Sequence, residues 1–339
     1  YPLIDGVVNG CPSVLLEPQT TNLVPYSEDF SNAEWAKAAD ITIEGGYLAP
    51  DGSTNAYKVT GTTTVLESLG LISTTTKSIY ARTVSGTGLA HLCSYNSNTN
   101  SLFTITEQWQ RFEVNSSNAT GVGSFYAIDF RGGTTLSEII LWGANATNDQ
   151  SYPTSYIPTN GTTVTRLAET ANGAGDATTF NDSEGVLMAE ISALSDDSSF
   201  KLFGINSGAT GNDIVILGYA NVSNTLYVNT KIGSTSVISS TAISIDQKSF
   251  NKILVKYKSG SNSIYVNGFK LDSNTNTFTP TGNQLSELEF SYYTNTLQFY
   301  GKTKQIQYFQ TVLTDSELEE LTSWESFTAM AYGQLYTIE

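Results

Sequence analysis

The stretch NKILVKYKSGSNSIYVNG, residues 251–268, carries the clearest β-hairpin pattern in the chain. Ile253, Val255 and Tyr257 occupy every second position, so they share one face of a strand, because successive strand side chains point to opposite faces. The segment SGSNS then supplies a turn, IYV returns as a second strand, and the Asn-Gly pair that follows supplies another turn. This stretch predicts an antiparallel sheet in the C-terminal half of the chain.

Similar patterns extend to both sides of the hairpin. GVLMAEISAL, residues 185–194, places apolar side chains at alternate positions, and LQFYGKTKQIQYF, residues 297–309, continues the sheet. Between residues 22 and 158, short apolar or alternating runs recur about every ten residues with turn clusters between them, which is typical of a sandwich or jelly roll. These runs are KSIYART, HLCSY, SLFTI, WQRFEV, SFYAIDF and EIILWGA.

One helix is predicted near the C-terminal end, in LTDSELEELTSW. Thr314 is placed to be its N-cap, and Glu317, three residues later, completes a capping box. Leu313 and Leu318 are spaced for a hydrophobic staple around that cap, and Leu321 extends the apolar stripe.

These patterns together predict an all-β fold: two tandem β-sandwich (jelly-roll) domains, with a short C-terminal helix. The segment ETANGAGDATT is rich in Gly, Ala and Thr and predicts a linker. The expected organisation is a lead-in segment at 1–21, a first sandwich at 22–168, the linker at 169–179, a second sandwich at 180–323 and a tail at 324–339.

The composition excludes several classes of partner. The chain has 39% hydrophobic and only 14% charged residues, with a formal net charge of −16. Nucleic acid is excluded as a partner because no basic patch offsets phosphate repulsion, and anionic membrane surfaces are disfavoured for the same reason. No apolar run is long enough to span a membrane, so membrane insertion is not expected. Neutral sugars, or anionic ones bridged by a cation, remain compatible.

Catalytic patterns are weak in this sequence. His91 is the only histidine, and it lies in a predicted strand without a nucleophile elbow, so a polar role on a strand face is the preferred interpretation. A zinc site needs more His or Cys ligands than the chain has. The closest acidic clusters are ELEEL on the helix and Glu287 with Glu289 on a half-buried strand. We therefore expect a protein that is not an enzyme, although convergence of some carboxylate pair for glycoside cleavage stays open.

Recognition of a saccharide fits the residues better. An aromatic plane can stack on a sugar ring, while Arg, Asp or Asn groups bind its hydroxyls. Pairs of this kind share strand faces in the first sandwich, and they are Tyr80 with Arg82, Trp109 with Arg111, and Asp129 with Arg131. The alternative interpretation is that the aromatic residues belong to the core and the arginines only solvate the sheet edge.

Two further features stay open at the level of sequence. Asn212 and Asp213 are candidate ligands for calcium or a sugar hydroxyl, but an ordinary turn is the favoured interpretation. Cys11 and Cys93 form either one disulfide or two separate thiols, since the sequence does not show whether they are close.

The segment CPSVLLEPQTTNLVPYSEDFSNAEW, residues 11–35, resembles a segment common in tailed-phage tail and fibre proteins. IILWGANATNDQSYPTSYIPTNGTTVTRLAE, residues 139–169, is similar to the closing segment of the same kind of domain, except that GANATND stands where a Gln-Leu-Glu is usual. Leu15 and Leu16 predict an entry strand, while Phe30 and Trp35 are expected to pin the start of the jelly roll against its core.

The strands between those two segments resemble a family 4/9-type carbohydrate-binding module, in DGSTNAYKVT, KSIYARTVSGTG and TEQWQRFEV. From Glu184 to Thr322 the chain resembles a concanavalin A-like, laminin-G-type sandwich, in the hairpin quoted above and in LQFYGKTKQIQYFQTVLTDSELEELT.

These resemblances imply a phage virion surface protein, in a tail fibre or other appendage, that attaches to a host cell-surface glycan. They also imply other virion structural proteins as partners, a homotrimer, an extracellular location on the particle, and a structural Ca²⁺ ion whose ligands the sequence does not reveal. Two alternatives stay open: a structural decoration protein of a tail or capsid that binds no sugar, and a glycan depolymerase or glycosidase.

Overall fold

The computed structural model describes residues 3–4, 7–8, 13–71, 76–93, 101–115, 123–208, 210–282, 284–293 and 296–323. These residues form two compact units. Pro18–Ala168 make one of them, here called the inserted unit. The described residues up to Glu17 and from Glu169 onward make the other, here called the bracketing unit.

The described residues are arranged mainly in antiparallel strands. In chain order the elements are β1 (Leu3–Ile4), β2 (Val7–Val8), β3 (Val14–Leu16), β4 (Thr20–Asn22), β5 (Trp35–Lys37), β6 (Thr42–Tyr47), β7 (Ala56–Thr60), β8 (Val65–Leu71), β9 (Thr76–Arg82), β10 (Gly88–His91), β11 (Leu102–Ile105), β12 (Gln110–Val114), β13 (Gly123–Asp129), β14 (Glu138–Thr147), β15 (Val164–Arg166), β16 (Glu184–Ala193), β17 (Lys201–Asn206), β18 (Ile214–Tyr219), β19 (Leu226–Ile232), β20 (Thr235–Ser240), β21 (Asn251–Lys258), β22 (Asn262–Val266), β23 (Phe269–Asn274), β24 (Glu287–Glu289), β25 (Gly301–Phe309) and α1 (Asp315–Thr322).

The inserted unit is a sandwich of two five-stranded sheets. The front sheet has the order β12-β9-β14-β7-β6, and the back sheet has the order β11-β10-β13-β8-β5. Ile79 and Leu141 of the front sheet and Leu66 and Phe125 of the back sheet are fully buried in one shared core. Trp35 joins this core beside Phe30, with 4.8 Å between their ring centroids. The packing expected for these two aromatic residues is therefore confirmed.

The two ends of the inserted unit are held together around Asn22. Strand β4 pairs with β15, so the segments on either side of the unit, which looked related in the sequence, lie side by side. The side chain of Asn22 is fully buried and makes four hydrogen bonds. Its Nδ2 donates to the carbonyls of Ala144 at 3.0 Å and Ile157 at 2.7 Å, and its Oδ1 accepts from the amides of Val24 and Ala146 at 3.1 Å each. Every donor and acceptor capacity of this buried amide is used.

The bracketing unit is a second sandwich. A six-stranded sheet of order β23-β22-β21-β16-β25-β3 belongs to it, and so does a five-stranded sheet of order β20-β19-β18-β17-β24. The hairpin of β21 and β22 forms as predicted, and Ile253, Val255 and Tyr257 all face the core. Asn267 and Gly268 have φ of 49° and 88°, the left-handed values that a two-residue hairpin turn requires.

Strand β3 shows where the lead-in segment belongs. Leu15 and Leu16 are in a strand, as expected, but that strand pairs with β25 of the bracketing unit, with Leu16 opposite Gly301. The division between the units therefore falls between Glu17 and Pro18, inside the expected lead-in. The expected linker also makes contacts within the bracketing unit, because Ala174 exchanges two backbone hydrogen bonds with Leu288.

Helix α1 begins as the sequence predicts. Thr314 is the N-cap, and Glu317 completes the capping box, with its carboxylate 2.8 Å from the Thr314 amide. Leu318 is fully buried against Val186, Met188, Leu254 and Tyr265, so the helix covers the outer side of the six-stranded sheet. The expected tail, residues 324–339, lies outside the described residues. An all-β fold with β-sandwich domains and a short helix near the C-terminal end is confirmed.

Replacing Asn22 by Ala is expected to lower the free energy of unfolding of the inserted unit by about 3 kcal/mol, because four buried backbone groups lose their partner at once. Urea denaturation monitored by tryptophan fluorescence measures this change. Thr21→Ala is the matched control, since the Thr21 hydroxyl makes an exposed side-chain contact on the same strand. If Asn22→Ala and Thr21→Ala were equally stable, the stabilising role assigned to the Asn22 hydrogen bonds would be wrong.

Asp315 is expected to stabilise the bracketing unit in a pH-dependent way. Hydrogen bonds from the Lys270 ammonium and the Tyr265 hydroxyl, with a smaller contribution from Lys256, lower the pKa of Asp315 from 3.8 to about 2. A carboxyl with a lowered folded-state pKa stabilises the fold above its unfolded pKa, and this contribution disappears as pH falls from about 3.8 toward about 2. Asp315→Asn should therefore lower the thermal midpoint at pH 7, and the difference from wild type should shrink over that interval. Glu319→Gln on the same helix is the control.

Candidate functional site

The outer face of the front sheet gathers four of the residues chosen from the sequence. Arg111 pairs with Tyr80, and Tyr80 pairs with Trp142, so these side chains form one row across three neighbouring strands. The residues that alternate with them, Ile79 and Leu141 among others, are fully buried in the core. Because strand side chains alternate between faces, this row points away from the core between the two sheets. Trp142 is nevertheless buried, since a smaller hydrophobic cluster forms around it on the outer face, with Tyr80, Trp109 and Tyr156 partly buried against it.

Aromatic rings and guanidinium groups are layered on this outer face. The Arg82 guanidinium lies over the Trp109 ring at 5.4 Å, and that of Arg111 lies over the Tyr80 ring at 5.9 Å. Ring centroids are 5.3 Å apart for Tyr80 and Trp142, and 4.7 Å apart for Trp142 and Tyr156. The set defined by these six side chains is called the aromatic–arginine face below: Tyr80, Arg82, Trp109, Arg111, Trp142 and Tyr156.

A polar network beneath the face fixes its aromatic rings. The Trp142 Nε1–H donates to Asn55 Oδ1 at 2.9 Å, and Asn55 Nδ2 donates to Glu28 Oε2 at 2.8 Å. The Tyr156 hydroxyl donates to the other oxygen of Glu28 at 2.9 Å. Burial raises the pKa of Tyr156, so its hydroxyl stays protonated and remains a donor. One carboxylate therefore orients two neighbouring rings.

The two arginines differ in how far they are already engaged. Arg111 donates to Ser78 Oγ at 2.8 Å and to the Thr154 carbonyl at 2.5 Å, and it pairs with Glu113 at 3.2 Å. Arg82 makes one long hydrogen bond, from NH1 to the Thr83 carbonyl at 3.3 Å. Within the described part of the chain no carboxylate pairs with Arg82. Arg82 therefore keeps most of its N–H donors for a ligand, whereas Arg111 mainly holds Tyr80 in place.

Sequence reasoning missed three members of this arrangement. Trp142 and Tyr156 stand in the segment that suggested the end of a domain, and Glu28 stands in the YSEDF string that suggested a lead-in. A partial signal was present for Trp142, because it follows Leu141 along β14 and the two must therefore lie on opposite faces of the strand. Nothing local marks Glu28 or Tyr156, which reach the face from irregular segments far apart in the chain.

Asp129 and Arg131 lie elsewhere. Asp129 is on the back sheet and fully buried, and Arg131 binds it through two hydrogen bonds of 2.9 Å each. The two residues interact with each other, as their spacing suggested, but they belong to a different sheet from the aromatic–arginine face. The geometry gives this pair a stabilising role.

His91 lies opposite Asp129 in the back sheet and is also buried. Its Nδ1 is 2.8 Å from Ser101 Oγ, and its Nε2 is 2.9 Å from the Gly132 carbonyl. The Asp129 carboxylate binds Arg131 in two places, and the hydroxyl-bearing Ser101 is fully buried. These contacts account for His91 as a structural residue on a strand, as the sequence favoured.

The remaining sequence candidates have structural roles in the described residues. Asp213 is buried and accepts a hydrogen bond from the Gly233 amide at 2.7 Å, while the Asn212 carbonyl accepts from the Ser234 amide at 2.9 Å. This arrangement joins two turns, in line with the favoured interpretation. No group of three or more His, Cys, Asp or Glu residues suited to a metal ion occurs in the part of the chain that the structure describes.

Cys93 is a free and buried thiol, and burial raises its pKa, which makes it unreactive. Cys11 lies outside the described residues. No helix among the described ranges is long and apolar enough to cross a membrane.

Comparisons with known proteins show only distant similarity. No protein-family model matches the chain, and no curated protein matches it. A solved structure of the Ruminococcus gnavus IT-sialidase CBM40 bound to α2,3-sialyllactose is similar at 16% identity and a TM-score of 0.38, over 45% of this chain and 94% of that chain.

Two other solved structures match this chain with similarly low sequence identities and TM-scores. A heptameric SAP-like pentraxin from Limulus polyphemus matches at 13% identity and a TM-score of 0.32, over 42% of this chain and 71% of that chain. Domain 4 of AbnA, an extracellular arabinanase from Geobacillus stearothermophilus in complex with arabinotriose, matches at 17% identity and a TM-score of 0.34. This match covers 48% of this chain and 74% of that chain. These values assign neither a family nor a ligand to this chain.

Asp129→Asn is expected to destabilise the inserted unit by about 3 kcal/mol, because it breaks a bidentate ion pair in which the carboxylate is fully buried. Denaturant unfolding measures the change. Glu44→Gln is the control, since its ion pair with Lys58 is largely exposed, and little change is expected there. A variant at Asp129 as stable as wild type would show that the pair does not support the fold.

Proposed function

We propose that this protein binds a saccharide on the aromatic–arginine face without catalysing its cleavage. The observation that carries the proposal is the Arg82 guanidinium stacked over the half-buried Trp109 ring, with donors left unused. A ring of this kind offers an apolar plane to a sugar ring, and the adjacent N–H groups bind its hydroxyl or carboxylate oxygens. The Trp109 Nε1–H donates to the Leu48 carbonyl at 3.2 Å, and a ring fixed before binding loses less entropy when a ligand arrives.

The biological setting we propose is host attachment by a tailed phage, with the protein on the surface of a virion appendage. The support comes from the two phage-like sequence segments, which pair as β4 and β15 in one unit. A glycan exposed on the host cell would then be the ligand. Trimerisation would add avidity to a weak individual site.

The double variant Arg82→Gln/Trp109→Ala should bind saccharide at least about tenfold more weakly than wild type, because it removes both the stacking plane and the guanidinium donors. A glycan array identifies the best ligand, and isothermal titration calorimetry with that ligand measures the loss. Lys302→Gln, at an exposed position in the bracketing unit, is a control with the same change of charge. If the correctly folded double variant bound the saccharide with wild-type affinity, the proposed binding site would be wrong.

The proposed role in host attachment is tested separately. Wild-type protein added to cells that display the preferred glycan should slow subsequent adsorption of the phage, and the double variant should not. Phage particles that carry the double variant should adsorb more slowly as well. Unchanged adsorption of such particles would favour the alternative role of a decoration protein. Release of reducing ends from the glycan would instead reveal a glycosidase.

A further inference from the structure

A polar cleft of roughly 530 Å³ lies on the bracketing unit, beside the first turn of helix α1. Its walls come from the end of β21, the turn that follows it, the edge strand β23 and the start of the helix. Every residue that lines it is Lys, Asp, Asn, Ser, Thr or Gly. No apolar or aromatic side chain is present in the lining, so the cleft suits neither a hydrophobic peptide nor a nucleobase.

Two lysines and one aspartate set the charge of this cleft. Asp315 lies between them, with Oδ1 3.3 Å from Lys256 Nζ and Oδ2 2.8 Å from Lys270 Nζ. The Lys256 side chain is only 9% exposed, so its ammonium is held in place by its surroundings. Two positive charges against one negative charge give the cleft a local excess of positive charge in a chain whose net charge is −16. Such a site favours an anion.

The sheet below the cleft adds polar groups that interact with Asp315. Ser263 pairs with Lys256 on one side and with Ser273 on the other, so the three side chains form one row on the outer face. Ser263 is 1% exposed, and its hydroxyl interacts with that of Tyr265. Tyr265, fully buried in the adjacent row, has a hydroxyl that interacts with the Asp315 carboxylate as well. These contacts make the floor of the cleft polar and help to hold the Asp315 carboxylate in place.

The wall of the cleft contains unused donors and acceptors. Asn274 accepts at its Oδ1 from Asn262 Nδ2 at 3.0 Å, which orients the amide and leaves its Nδ2 without a described partner. The hydroxyls of Ser261, Ser273 and Thr275 also make no hydrogen bond to a described residue. Several hydroxyls and an amide around one charged pair match the chemistry of a polyhydroxylated ligand with a single anionic group.

We propose that this cleft is a second saccharide site, specific for an acidic sugar unit. The carboxylate or sulfate of the sugar lies between Lys256 and Lys270, where it shares the ammonium groups with Asp315. The sugar hydroxyls bind the Asn274 amide and the surrounding Ser and Thr hydroxyls. The proposal does not depend on the aromatic–arginine face, because that face belongs to the inserted unit and this cleft belongs to the bracketing unit.

The test is calorimetric titration of the full chain with three tetrasaccharides: tetragalacturonate, a chondroitin sulfate tetrasaccharide and neutral maltotetraose. At least one of the two acidic probes should bind about tenfold or more tightly than the neutral one. A preference between them identifies carboxylate or sulfate as the recognised group. Equal affinity for acidic and neutral probes would overturn the proposal.

Variants locate the binding. Lys256→Gln/Lys270→Gln should weaken binding of the acidic probe about tenfold or more, whereas Lys258→Gln should not, because Lys258 lies on the same strand, pairs with Glu184 and does not line the cleft. Asp315→Asn should instead bind the acidic probe more tightly, because the lysines lose their internal counter-charge. A gain in affinity cannot arise from misfolding, so this variant keeps the test valid if the double lysine variant is unstable.

The two proposals fail in different ways. The Arg82→Gln/Trp109→Ala variant should bind the acidic probe at the cleft as wild type does. If that variant loses the acidic probe and the double lysine variant keeps it, the ligand is on the aromatic–arginine face and the cleft proposal is wrong. Unchanged affinity in Asp315→Asn would contradict the proposal as well.

Discussion

The buried amide of Asn22 is the constraint on which the inserted unit depends. A fully buried side-chain amide is tolerated only when its hydrogen-bonding groups are satisfied, and Asn22 achieves this with four backbone groups from three separate segments. The chain therefore cannot form the entry strand β4 without also placing β14 and the segment around Ile157. The first strand of the unit and the segment near its end are therefore held in one fixed arrangement.

The candidate site follows from that constraint. The segment that Asn22 anchors continues to Glu28, and the segment around Ile157 contains Tyr156, so closing the unit brings these two side chains together. Glu28 then fixes Tyr156 directly and Trp142 through Asn55. The hydrogen bonds that join the two ends of the inserted unit therefore stabilise the fold and also position the residues that support the aromatic–arginine face.

The two units offer different chemistry to a saccharide. The aromatic–arginine face presents the half-buried Trp109 ring next to a guanidinium, which favours contact with the face of a sugar ring, whereas Trp142 is buried and supports the face from below. The cleft beside helix α1 has no aromatic residue in its lining and presents ammonium, amide and hydroxyl groups, which favours a charged and heavily hydroxylated unit. With both proposed sites, the chain would recognise two features of one glycan or two different glycans, and bivalent binding raises avidity.

The sequence by itself determined the features that depend on local physics. Alternation placed Ile253, Val255 and Tyr257 on one strand face, and the capping box of Thr314 and Glu317 marked the start of the helix. Alternation also paired Tyr80 with Arg82 and Trp109 with Arg111 on shared strand faces. Only the tertiary structure decided which strands are neighbours. It joined β3 to the bracketing unit, separated Asp129 and Arg131 from the aromatic rings, and brought Glu28 to Tyr156. The physical reason is that side-chain alternation is set by the backbone of one strand, whereas strand order and loop closure depend on contacts between residues more than 100 positions apart.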